Sequence, residues 1–234
     1  MISIIIPTLN EGKYLPSLLE SIKKQEFTDY EIIIGDAGSK DSTKEIAKRY
    51  GCKIAPGGLP AKGRNEGAKI AQGDLLFFID SDSVLPDSFF TILLKEFKEK
   101  NLGVASYRVY PKGNIIDKVC YDIYNFWTWL TQKFLPHATQ TILIKKEIHQ
   151  KVGGFDEAIK IGEDHAYVRK AAKYGKFGFL RKVPIIFTSV RRFESKGRLK
   201  IYSIFILAGI CLLFFGKAKA KMFDSYYSKK EKST

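Results

Sequence analysis

The sequence predicts an α/β fold with a mostly parallel central sheet flanked by helices, and three observations carry that prediction. Short runs of isoleucine, leucine and phenylalanine alternate with stretches whose apolar residues recur at helical spacing. The strand-like runs are apolar at consecutive positions, the pattern of strands covered on both faces and therefore parallel. Polar and acidic residues gather where those runs end, and such sheets bind ligands at the carboxyl ends of their strands.

The first run, ISIIIP, starts at the second residue with no basic segment before it, which argues against a cleavable leader. Tyr14 to Gln25 places Leu15, Leu18, Leu19 and Ile22 on one helical face, and further strands are expected at EIIIGD (Glu31–Asp36), CKIAP, DLLFFID (Asp74–Asp80) and GVASYRVY (Gly103–Tyr110). Helical stripes follow Ser42, Arg64 and Pro86. From Ile115 to Phe134, residues Ile116, Val119, Cys120, Ile123, Phe126, Trp127 and Leu130 share a helical face, expected to be a core face. Tyr124, Trp127 and Trp129 also suit an acceptor pocket or a lipid interface. PIIFTS supplies a last strand, and no domain boundary is expected before about residue 195.

Three strand ends carry acids or amides: PTLNEG (Pro7–Gly12), DAGSKDST (Asp36–Thr43) and DSDS (Asp80–Ser83). Taken singly, Asn10, Glu11, Ser39 and Asp41 suit helix caps and Asp82 suits a turn. Their convergence at one sheet edge is better explained by a polar ligand. In extended backbone, Asp80 and Asp82 would point to one side, so one could hold a divalent cation while the other meets a hydroxyl or the cation's water. Magnesium or manganese held by few protein oxygens keeps positions for phosphate.

Three cysteines without CxxC spacing indicate neither a disulfide framework nor a zinc site, and the chain reads as reduced and cytosolic. Its net charge is +14, and residues 191–234 hold eleven basic and three acidic residues, over half of the excess. Within that tail Ile201–Gly216 is free of charge and flanked by lysines. As a helix it would be about 24 Å long, short of the ~30 Å hydrocarbon core, so it is expected to lie in one leaflet rather than span. A buried core helix is the alternative. Residues 196–234 are thus expected to form a membrane-associating helical tail, which places residues 1–195 on the cytoplasmic face of the membrane as a peripheral or monotopic protein. Nucleic acid is excluded as a partner, because the convergent acids would face a polyanion.

The chain resembles glycosyltransferase family 2, on four ordered elements: PTLNEG, DAGSKDST, the strand ending in DSD, and VGGFDEAIKIGEDHAYVRKA (Val152–Ala171). The resemblance implies the GT-A fold, Rossmann-like, over about residues 1–190, and an inverting transfer from a nucleotide-sugar. It implies that Pro7, Thr8, Asn10 and Glu11 line the nucleotide pocket and that Asp36 meets the nucleoside. It implies that Asp80, Ser81 and Asp82 handle ribose and a manganese or magnesium ion, and that Asp164 is the catalytic base. Ala37 stands where the family often has a second acid, and Lys62, Arg64 and Asn65 fall where it commonly places a basic contact to base or phosphate, so UDP and GDP both remain open.

Transfer chemistry also needs two separate acidic sites, one for a metal and one for a base, and Glu163 and Asp164 supply the second. Acids at the start of a helix are ordinary neighbours of its dipole as well. Arg191 and Arg192 suit a pyrophosphate or an anionic acceptor, and equally a membrane surface. A lipid-linked acceptor is the favoured expectation. The alternatives are a soluble glycan or small-molecule acceptor, or a sugar-phosphate nucleotidyltransferase, whose glycine-rich phosphate loop is absent after the first strand.

Overall fold

The computed structural model describes residues 1–198 together with Lys200, Tyr202, Ser203 and Leu207. Most of the apolar run 201–216 and of the expected tail 196–234 lies outside the described residues. So does Cys211, while Cys52 and Cys120 are free thiols.

Seven strands form the central sheet in the order β3-β2-β1-β4-β8-β6-β9. β1 (Ile2–Thr8), β2 (Tyr30–Asp36), β3 (Lys53–Pro56) and β4 (Leu75–Phe78) arise from the expected runs and pair in parallel. β8 (Ile142–Lys145) runs antiparallel between β4 and β6 (Val104–Tyr107), and β9 (Phe177–Leu180) closes the edge beside β6. The expected GVASYRVY strand is two strands. After Tyr107 the chain leaves the main sheet, and β7 (Val109–Lys112) joins β10 (Ile186–Ser189) and β5 (Ser83–Val84) in a three-stranded sheet.

The consecutive apolar positions of β1 explain the layering. Ile4 and Ile6 pack with α1 (Leu15–Lys23), α2 (Thr43–Arg49) and α4 (Phe89–Glu99) on one face; Ile5 points into the other core beside α3 (Pro60–Ile70). All three isoleucines are fully buried, each contributing roughly 1.5–3 kcal/mol relative to exposure. α3 begins at Pro60, before the expected stripe, and its small residues let it lie directly on the sheet. A Cβ on Gly35 would come within 2.4 Å of the Gly63 carbonyl oxygen, and one on Gly67 within 2.5 Å of Ile5. That approach brings Arg64 to the end of β4.

One expectation is overturned. α5 (Ile115–Thr131) buries Asp117, Tyr121, Asn125 and Thr128, while Ile116, Val119, Ile123, Phe126, Trp127 and Leu130 are exposed. The apolar stripe is no core face, because the inward contacts are polar: the Asn125 amide donates to the Val109 carbonyl, and Asp117 completes a capping box with Asn114. α6 (Lys146–Val152), α7 (Glu163–Ala171) and α8 (Arg191–Lys196) complete the described elements.

Candidate active site

The carboxyl ends of β1 and β2 are tied together. Thr8, paired in register with Asp36, donates to its carboxylate at 3.3 Å, and that carboxylate also accepts from the Gly38 and Ser39 backbone amides at 2.9 and 2.8 Å. Asn10 adopts a left-handed φ of 54°, and its side chain accepts from the Lys40 amide, while its own amide donates to Ser39 Oγ. Glu11 and Gly12 donate through their amides to Thr43 and Asp41. These polar residues therefore fasten one loop to the other. None caps α1, whose first turn has no side-chain cap. Pro7 lies against the α3 glycines, 3.1 Å from where a Gly63 Cβ would sit.

β4 ends at Phe78, and Asp80 to Ser83 form a turn closed by the Ser83 amide on the Asp80 carbonyl. The extended geometry expected for the acid pair is thus replaced by a turn, and the two carboxylates are engaged separately. Asp80 accepts from Arg64 at 2.8 Å. Asp82 lies 3.5 Å from Arg191 Nε and accepts from Thr188 at 3.5 Å, and Ser81 is buried between them in sequence.

Two arginines organise the acids. Arg64, only 3% exposed, also donates at 2.7 Å to Glu163, 99 residues further along the chain, so it joins the end of β4 to the start of α7. Burial opposes its charge, but Asp80, Glu163 and Asp164 outweigh that and raise its pKa. It pairs with Asp80 and Glu163 and positions both. Lys62, two residues before it on α3, is exposed. Arg191 donates to Glu11, faces Asp82 and stacks over the Tyr14 ring at 4.3 Å. The side chain of Arg192 lies outside the described residues.

Glu163 and Asp164 open α7 after Gly162, whose φ of 77° suits glycine. Burial raises the Asp164 pKa against the opposing pull of Arg64, and Glu163 is raised likewise, with Asp164 adding repulsion. A carboxylate poised upward, beside a cation that three acids share, is suited to taking a proton. The VGGF loop is held in place by Asn65, which exchanges hydrogen bonds with the Phe155 backbone.

Sequence reasoning missed the wall behind Asp164. The rings of His137 and His165 lie 5.2 Å apart, and Tyr124 of α5 lies 6.3 Å from His165 and donates to the Ala138 carbonyl. Burial holds His137 down to about 3 and His165 to about 4, with Arg169 adding to both, so neither carries charge at neutral pH. No sequence spacing joins residues 124, 137, 165 and 169; only packing does.

Two protein carboxylates in the turn after β4 fit a hard divalent cation such as Mg²⁺ or Mn²⁺, whose sites draw on one or two carboxylates plus substrate phosphates. Among the described residues no group of three or more histidine, cysteine or acidic side chains is placed to hold one. Asp80 and Asp82 are the residues that would hold one.

The family model for glycosyl transferase family 2 matches residues 3–174. The chain belongs to glycosyltransferase family 2. An uncharacterized glycosyltransferase of Haemophilus influenzae is 30% identical over 198 residues, 76% of this chain and 64% of that protein. A poly(ribitol-phosphate) β-N-acetylglucosaminyltransferase, TarS of Staphylococcus aureus, is 37% identical over 93 residues, 36% of this chain and 16% of its own. This family 2 chain thus spans less than two thirds of either relative. Among solved structures, S. aureus TarS 1–349 with UDP superposes at a TM-score of 0.66 and 21% identity, covering 81% of this chain and 60% of that one. A mannosyltransferase from Pyrobaculum calidifontis with GDP-Man and Mn²⁺ gives 0.68 and 20%, covering 81% and 56%. The fold is GT-A, as expected for the family.

Proposed function

We propose that this family 2 chain transfers a sugar from a UDP- or GDP-linked donor to a hydroxyl acceptor at a membrane, inverting the anomeric carbon. One observation carries the reading: Arg64 holds Asp80 of the turn after β4 and Glu163 of α7, the neighbour of Asp164, on the two terminal nitrogens of one guanidinium, 2.8 and 2.7 Å away. A donor diphosphate placed over Asp80 and Asp82 would then present its sugar carbon toward Asp164.

The acceptor hydroxyl loses its proton to the Asp164 carboxylate as its oxygen bonds to the anomeric carbon. The bond from that carbon to the diphosphate breaks, and the diphosphate leaves with the electron pair. Thr8 and the Gly38 and Ser39 amides hold Asp36 in place to meet the nucleoside. Glu11, Asp82 and Arg191 line the phosphate side, where Arg191 can exchange its carboxylate partners for phosphate oxygens. A divalent cation shared by Asp82 and Asp80 would neutralise charge on the departing diphosphate. Support for the donor class comes from the solved relatives bound to UDP and to GDP-Man, the latter with Mn²⁺. Support for a membrane acceptor comes from the charge-free run at 201–216 and its lysine flanks.

A thermal-shift panel of nucleoside diphosphates with Mn²⁺ tests the donor. Ligand at about 100 times its Kd stabilises by ~2.7 kcal/mol, so UDP or GDP should raise the melting temperature while adenosine and cytidine diphosphates leave it unchanged. No response to any of them, with and without Mn²⁺, rejects the reading.

A further inference from the structure

We infer that α5 is an interfacial helix that docks the chain on an anionic lipid bilayer. The helix is inside out for a protein surrounded by water: it turns Asp117, Asn125 and Thr128 inward and holds Ile116, Val119, Ile123, Phe126, Trp127 and Leu130 outward, each 48–64% exposed. Phe134, just beyond its end, is 88% exposed. Isolated apolar side chains on a surface are ordinary, but a continuous stripe of six along a helix about 25 Å long marks an interaction surface.

Charge selects the partner. Lys112, Lys118, Lys133, Arg181 and Lys182 are exposed around the stripe, with Asp122 as an acid among them that already accepts from the Tyr110 hydroxyl. An apolar helix face bearing tryptophan and phenylalanine between lysines is the composition of helices that lie in the headgroup boundary. No helix among the described residues is long and apolar enough to cross a membrane, and α5 would lie in the plane of one.

The chain beyond the domain points to the same place. Arg198 donates to the buried Asp117 carboxylate at the amino end of α5, and the Tyr202 hydroxyl donates to it at 3.0 Å. Arg198 and Tyr202, at the lysine-flanked end of the charge-free sequence 201–216, are therefore tied to the start of α5. On its inward side α5 carries Tyr124 against His165, the neighbour of Asp164. A bilayer on the outer face would lie about one helix diameter, ~10 Å, from the base, within reach of a lipid-borne hydroxyl.

The inference rests on the bilayer premise of the proposed function, and one experiment separates their failures. Both tryptophans of the chain, Trp127 and Trp129, lie on α5, so the full chain carrying Trp129→Phe leaves Trp127 as the sole reporter. It is mixed with vesicles of phosphatidylglycerol and phosphatidylcholine brominated at chosen acyl depths. Trp127 emission should shift to the blue and be quenched most by bromines near the headgroup. Ile123→Ser with Phe126→Ser should weaken vesicle partitioning roughly 10–100-fold while the thermal shift with nucleoside diphosphate is unchanged. A chain that floats with vesicles but keeps Trp127 unquenched overturns the role of α5 and leaves the membrane reading standing. A chain that never floats overturns both. Trp127 that is already blue-shifted and shielded from acrylamide without vesicles shows the face covered by the chain's own tail or a second copy, and also overturns the inference.

Discussion

Arg64 shows how much one side chain can settle. Its guanidinium is almost wholly buried, and without it Asp80, Glu163 and Asp164 would repel one another in a poorly solvated space. Burial lifts the pKa of Asp164, with Asp80 adding to it, and the sign of that shift yields a test. A carboxyl whose folded pKa is raised contributes stability that is complete below its unfolded value and lost as pH rises through the folded value. Ionised Asp164 is therefore a cost to the fold. Asp164→Asn is expected to melt at the same temperature or higher, yet to lose about 10²–10⁴ in turnover with donor affinity unchanged. The wild-type rate should fall with acid at a pH above the ordinary carboxylate range of ~4, since only the deprotonated base works. A variant that keeps its turnover, or binds donor poorly, removes Asp164 from the role of base.

Among the elements, α3 decides where the chemistry sits. Gly35 and Gly63 let helix and sheet backbones meet, and because a Cβ on Gly35 would strike main-chain atoms, no rotamer change relieves the clash. Gly35→Ala is expected to cost about 1–3 kcal/mol and to weaken nucleoside diphosphate binding, because α3 carries Arg64 outward with it. Urea unfolding and donor titration on the same preparation check both effects; lost stability with unchanged binding would uncouple the helix from the site. The elements also show the limits of pattern reading. β1 to β4 were legible because consecutive apolar residues leave little choice but a doubly covered strand. The stripe of α5 was equally clear, but its period says only that one face is apolar, not that the face turns inward. Asp117 takes the inward side through its capping box with Asn114 and Asn125 through its bond to β7, which no spacing in the sequence announces.

For the molecule as a whole, all three histidines are folded away uncharged. His137 is held down to about 3 and His149 and His165 to about 4, each chiefly by burial. In the unfolded chain they titrate near 6.5. Between roughly pH 6.5 and 4 the unfolded state therefore binds more protons, and stability falls as pH drops through that window, by up to ~1.4 kcal/mol per pH unit for each histidine. Melting temperatures measured from pH 7 to 5 should decline steeply, and His137→Phe should remove part of the slope. A flat profile would mean that the histidines are protonated in the folded state.

By itself the sequence determined the α/β class, the parallel half of the sheet, the three polar strand ends and the second acid pair, because each is written in a local pattern of burial or in a short run of residues. Only the tertiary structure decided what those residues meet. It turned the expected extended acid pair into a bend whose carboxylates face different arginines, inserted β8 antiparallel into the sheet, and made Arg64 a buried bridge between Asp80 and Glu163. Partners 16, 99 and 180 residues apart are chosen by how helices pack on the sheet. Local periodicity fixes which face of an element is apolar, but the long-range packing free energy fixes what that face touches.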